Sequence, residues 1–245
     1  FGAGRFVAVG ENDTTGGTVL VSTNGAQWTR LVATNSTPSL YDIAYAQNRF
    51  VAVGAGGRAM VSPDGLAWSN PPVGTSEKLN SIAWDGAAFI AVGRNTTIVS
   101  SPDGTNWTRR LLGDDTPYLQ GVAYGNGTYV AAGKRGSLMT ATNLTGWQWR
   151  PTPFTSDIED VLFANGVFIA VGQGGFCATS PDGLTWTAHP TRCQNDLRTV
   201  IDADGYFTAA GNNETILQSV YAGAPVLLAQ PASRTKFAGQ TVTLS

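Results

Sequence analysis

A short box of residues returns along this chain at steps of 39 or 40 positions, and that period limits what the chain can fold into. It reads Ser22-Thr23-Asn24-Gly25 with Trp28, Ser62-Pro63-Asp64-Gly65 with Trp68, and Ser101-Pro102-Asp103-Gly104 with Trp107. A degenerate copy, Ala141-Thr142-Asn143 with Trp147, precedes Ser180-Pro181-Asp182-Gly183 with Trp186, and Ser219 marks a sixth copy one step later. A unit of about 40 residues cannot bury its own apolar face, so successive units must stack and cover one another.

Within a unit the pattern is that of four short strands. In the third, Leu79 to Trp84 alternates, Asp85-Gly86 turns, and Ala88 to Gly93 is nearly continuous in apolar residues. Such a run suits a strand covered on both faces. Thr97 to Ser100 then reads as a third strand, and the box leads into a fourth that begins beside Trp107. Asn126-Gly127, Asn165-Gly166 and Asp204-Gly205 occupy the first turn elsewhere and suit two-residue hairpins. Four antiparallel strands per repeat make one blade of an all-β propeller. Six blades are expected over 1–221, the first and last incomplete as written. Phe1 falls in register with Tyr45, Trp84, Tyr124 and Phe163 at the end of a first strand whose start is missing. After Ser219 no Trp-bearing fourth strand follows, and 222–245 reads as a separate segment leaving the repeat.

Charged residues make up 13% of the chain and the net charge is −2, which argues against a nucleic-acid surface. No apolar run reaches the length of a membrane-spanning helix, and no signal peptide opens the sequence. The Asn- and Thr-rich composition, with sequons such as Asn95-Thr96-Thr97, suits an extracellular or cell-surface protein. Cys177 and Cys193 are the only cysteines. Both belong to the face carrying the second-to-third-strand loops, so a disulfide is expected, with two thiols in a reducing compartment as the alternative.

The boxes resemble the Asp-box, or bacterial neuraminidase repeat, of sialidase-like propellers, although the family box has one more residue between the acid and the aromatic. The resemblance implies that Asn24, Asp64, Asp103, Asn143 and Asp182, with Trp28, Trp68, Trp107, Trp147 and Trp186, are structural hairpin residues remote from any active site. The local chemistry agrees, because an aspartate can accept N–H bonds across such a turn and the tryptophans are expected to be buried between blades. The tail, with Gln230-Pro231 and Gly239-Gln240-Thr241-Val242-Thr243-Leu244-Ser245, resembles the opening of a bacterial immunoglobulin-like domain.

Candidate ligand-binding residues lie in the loops between second and third strands: Arg58, Arg94 and Arg135 from consecutive blades, with Glu11, Asp13 and Glu214 from the first and last. Sialidases clamp a carboxylate with an arginine triad, a use that planar bidentate donors allow. These three arginines do not share one repeat column, and no acid pair can be assigned to glycoside hydrolysis. One histidine excludes a multi-histidine metal site, and no cofactor motif is present. The sequence therefore points first to a non-catalytic interaction or scaffolding propeller of a larger secreted or surface protein. Its partners would be other domains of that protein, or a glycan or protein ligand. A carbohydrate-binding or glycoside-hydrolysing propeller is the alternative, and an architectural subunit of a surface assembly a second.

Overall fold

In the computed structural model the described residues are 1–13, 16–31, 39–110, 118–203, 205–219 and 227–228. They form six antiparallel sheets of three or four strands. The third blade has the strands Leu79–Trp84, Phe89–Gly93, Ile98–Ser101 and Thr108–Arg110. The fourth has Leu119–Gly125, Thr128–Gly133, Leu138–Ala141 and Gln148–Arg150. The fifth follows with Ile158–Ala164, Val167–Gly172, Phe176–Ser180 and Thr187–Ala188. In the second blade, Leu40–Ala46, Arg49–Gly54 and Ala59–Ser62 form the sheet, and Ser69 adds a single bridge to Val61. The first blade consists of Phe6–Asp13, Gly16–Ser22 and Thr29–Leu31, the counterparts of second, third and fourth strands elsewhere.

The sixth blade departs from expectation. Leu197–Ala203, Tyr206–Gly211 and Ile216–Ser219 are followed by Leu227–Leu228, which pairs with Ser219 and Gln218 in the fourth-strand position. A short extended dipeptide can satisfy part of the third strand's backbone edge without any box tryptophan. The immunoglobulin-like resemblance in 229–245 falls outside the described residues.

First strands of successive blades pack side by side, from Leu40–Ala46 through to Leu197–Ala203, and enclose a central channel. Apolar clusters fill the spaces between neighbouring sheets, as where Ile90, Val92 and Ile98 of the third blade meet Leu119 and Tyr129 of the fourth. Among the described residues the two end faces lack that cover. Ile98, Leu138 and Cys177 are buried by the blade that follows each, whereas Ile216 in the same column is 44% exposed. At the other end Phe6 is 38% exposed, while its counterparts Phe50, Phe89 and Phe168 are buried.

Each box is a hairpin brace between third and fourth strands. Asp182 Oδ1 accepts the backbone N–H bonds of Leu184 and Thr185, both at 2.8 Å, and Ser180 Oγ accepts that of Gly183 at 2.8 Å. Trp186 Nε1 donates to the Gly183 carbonyl at 3.1 Å, and Trp28, Trp68 and Trp107 make the same bond to their own box glycines. Asn24, Asp64 and Asp103 repeat the acceptor role. In the degenerate box Asn143 still accepts from Thr145 and Gly146, but Leu144 stands where glycine does elsewhere. Trp147 Nε1 is buried there without a hydrogen-bond partner.

The tryptophans do not meet the expectation of full burial. Trp68, Trp107 and Trp186 are half-buried, Trp28 is 43% exposed, and only Trp147 is buried. Trp28, Trp68, Trp107 and Trp186 each cap their own hairpin beside the fourth strand and keep one side in water.

The expected disulfide is absent: Cys177 and Cys193 are free thiols. Strand alternation turns Cys177 into the apolar cluster between the fifth and sixth blades, where burial pushes its pKa up to about 12. Cys193, half-buried, packs against the edge of the same cluster and directs Sγ to the Asn195 carbonyl at 3.7 Å. A neutral, buried thiol is a poor nucleophile. Iodoacetamide at neutral pH should therefore modify Cys193 in the native protein and Cys177 only after denaturation. Loss of both thiols in the unreduced, unfolded protein would restore the disulfide.

Candidate functional site

One end of the central channel carries the loops between second and third strands. Four of these are single 3-10 turns: Ala55–Gly57, Arg94–Thr96, Lys134–Gly136 and Gln173–Gly175. Each turn is tied to the start of its own first strand. Ala55, Arg94, Lys134, Gln173 and, in the last blade, Asn212 donate backbone N–H bonds to the carbonyls of Ser39, Lys78, Tyr118, Asp157 and Asp196. The glycine just before each of these donors lies so close that an added Cβ would sit about 2 Å from the same carbonyl.

Immediately after that tie every described first strand is bulged. Leu40 pairs with Gly54 and Asp42 with Val53, leaving Tyr41 as the extra residue, and the shift recurs at Asn80, Gln120, Glu159 and Arg198. A bulge turns its extra side chain out of the normal alternation. Here five of them line the channel, whose volume is about 550 Å³.

These side chains join into one network across four blades. Asn80 Nδ2 donates to Gln120 Oε1 at 2.8 Å, and Gln120 Nε2 donates to Glu159 Oε2 at 3.1 Å. Glu159 Oε1 meets Arg198 Nη1 at 3.1 Å and Lys134 Nζ at 3.3 Å. Lys134 also reaches Asp157 at 2.8 Å, and Arg198 reaches Asp196 at 3.0 Å. Two cations of the third blade meet aromatic faces instead. Lys78 Nζ lies 3.8 Å from the ring centre of Tyr41, and the Arg94 guanidinium 4.9 Å from that of Tyr118.

Deeper in the channel stand two buried carboxylates, Asp42 and Asp160. Asp42 Oδ2 accepts from Ser81 Oγ at 2.9 Å and from the Ile82 N–H at 2.8 Å, bridging the second blade to the third. Asp160 does the same between the fifth and sixth, accepting from Thr199 Oγ1 at 3.0 Å and the Val200 N–H at 2.9 Å. Burial raises both pKa values, that of Asp160 to about 7, with the charge of Asp42 adding to the rise. Perturbed acids in a cleft invite a catalytic reading. These two are engaged instead: the second oxygen of each accepts the N–H of the following residue, Ile43 or Val161.

Solved structures share this architecture. YCF48 bound to D1 peptide superposes with a TM-score of 0.68 at 16% identity, over 91% of this chain and 76% of that one. A chain of the Nidogen/Laminin complex gives 0.65 at 10% identity, over 89% and 90%. The fold is a β-propeller. YCF48 from Cyanidioschyzon merolae gives 0.56 at 21% identity, over 76% and 68%. No family model matches the chain, and neither does any curated protein sequence.

Of the residues singled out from sequence, Arg58, Arg94 and Arg135 stay apart in role. Arg58 follows its turn, Arg94 begins one, and Arg135 sits in the middle of one with φ of 58°. Arg135 donates its backbone N–H to Asp157. None of the three lines the channel. Glu11 is exposed on Phe6–Asp13, the second-strand counterpart of the first blade, and its carbonyl accepts from Thr18 at 3.4 Å. Asp13 pairs through its backbone with Gly16, and Glu214 lies in the turn before Ile216–Ser219 with φ of 59°. The network residues Asn80, Gln120, Glu159 and Arg198 were missed. Their common signal was a polar residue directly after the first apolar residue of each first strand, repeated every 39 or 40 positions.

Proposed function

We propose that the chain is a non-catalytic protein-interaction propeller, a module of a larger secreted or surface protein, that binds a peptide segment across the channel mouth. The observation that carries this reading is the hydrogen-bonded arc from Asn80 through Gln120 and Glu159 to Arg198, built one bulge per blade over four blades. Side chains locked by each other lose little freedom when a partner arrives, which favours recognition. The neighbours add support, since YCF48 is bound to a D1 peptide and the nidogen chain belongs to a laminin complex. Composition favours the extracellular setting: few charges and many Asn and Thr.

Glycoside hydrolysis is the rival the two channel acids suggest, and their saturation by the next blade's donors argues against it. The test is panning of random peptides displayed on phage against the immobilised chain. Binders are expected, and the double variant Gln120→Lys with Glu159→Lys should lose them, while Arg109→Gln on an outer strand should keep them. Binders insensitive to the mouth variant, or turnover of a glycoside panel lost on Asp160→Asn, would displace the proposal.

A further inference from the structure

The charges around the mouth are unevenly answered. Lys134 faces Asp157 and Glu159, and Arg198 faces Glu159 and Asp196. On the third blade Lys78 and Arg94 stand together, joined by the bond from the Arg94 N–H to the Lys78 carbonyl at 2.8 Å. Among the described residues neither forms an ion pair with a carboxylate, and each has instead the face of a tyrosine from a neighbouring blade. A stacked guanidinium keeps its in-plane N–H groups turned outward, in the fork that fits a carboxylate. An ammonium resting on a ring likewise keeps donors for a second partner.

We propose that Lys78 and Arg94, each resting on a tyrosine, Tyr41 or Tyr118, form the anchor for the aspartate or glutamate side chains of the partner peptide. This rests on the interaction reading above and adds direction to it. The acidic end of the peptide lies over the third blade, and the remainder runs toward the carboxylates of the fifth and sixth.

The test uses the intact chain and a fluorescein-labelled glutamate-rich peptide, beside the same peptide with glutamine at every acidic position. Fluorescence anisotropy at low salt should give the acidic peptide an advantage of about tenfold or more, shrinking as salt rises. Lys78→Gln with Arg94→Gln should abolish that advantage without shifting the melting temperature. Arg94→Lys should lose part of it, because charge remains and the bidentate fork does not. Asp114 and Asp115, in the loop leading to Tyr118, lie outside the described residues. If acidic-peptide binding appears only once both are changed to Asn, the anchor is internal and the proposal falls. It also falls if both peptides bind alike, or if a sulfated polysaccharide binds through these cations and the acidic peptide does not. Charge-indifferent peptides that still need Gln120 and Glu159 would overturn this anchor and leave the interaction reading standing. Absence of binding by peptides of any charge would remove both.

Discussion

Gly172→Ala is expected to destabilise the protein by about 3 kcal/mol or more, with Gly10→Ala within about 0.5 kcal/mol of the unchanged protein. The two glycines occupy the same repeat column, Gly172 at the end of Val167–Gly172 and Gly10 within Phe6–Asp13. Gly172 has φ of −178°, extended backbone open to any residue, so torsion is not the issue. Space is. A Cβ there would lie 2.0 Å from the Asp157 carbonyl oxygen, which also receives the N–H of Gln173. Relief would require the strand start to retreat, breaking that bond and loosening Asp157 from Lys134. At Gly10 the added carbon would meet, among the described residues, only the Thr18 Cβ at 3.7 Å. Chemical denaturation of the two variants in parallel tests this. Equal losses would show that the close approach in the fifth blade is not what demands glycine.

The protein should also become more stable on mild acidification, and Asp160 should be the main reason. In the unfolded chain an aspartate titrates near 3.8; in the fold burial moves Asp160 to about 7. Below pH 4 both states are protonated and the group is neutral toward folding. Between pH 4 and 7 the unfolded chain alone ionises, so stability falls as pH rises, and above 7 the loss is complete. The shift corresponds to a total on the order of 4 kcal/mol. Asp42 is displaced in the same direction and reinforces the trend. Asp64 and Asp182 act oppositely. Backbone N–H bonds, from Leu66 to Asp64 and from Thr185 to Asp182, hold their carboxyls below the ordinary value, so their contribution is lost as pH drops below 4. Between pH 8 and pH 5 the melting temperature should rise by about 5–10 °C, and Asp160→Asn should flatten most of that rise. An unchanged slope in the variant would assign the pH dependence elsewhere.

How much of this was legible in the sequence differs by level. The period, the strand order and the role of Asp64, Asp103 and Asp182 could be read directly, because a box residue performs the same local task in every copy. The bulges could not. A bulge displaces one residue without altering the 39- or 40-residue step, so Gln120 and Glu159 looked like ordinary strand positions. The directions of the loop arginines were not legible for a related reason. Arg58, Arg94 and Arg135 all belong to short loops in consecutive blades, yet a three-residue turn gives its first, middle and following positions different directions. Of the three, only Arg94 stacks on a neighbouring blade's aromatic ring, and it does so through Tyr118, which sequence spacing does not connect to it. Leu227–Leu228 was missed because a fourth strand was sought by its tryptophan, whereas pairing needs only an extended backbone.

The bulge also separates two kinds of selection that most binding surfaces combine. One residue beyond each bulge, Asp42, Ser81, Gly121, Asp160 and Thr199 hold the positions where neighbouring blades clip or closely abut one another. The bulged residue itself is released from the pleat and has been filled by tyrosine, asparagine, glutamine, glutamate and arginine in turn. Duplicated units can therefore drift toward new partners at one position while the adjacent one keeps the assembly intact. A designer could rewrite the rim in the same way, as five interchangeable sockets.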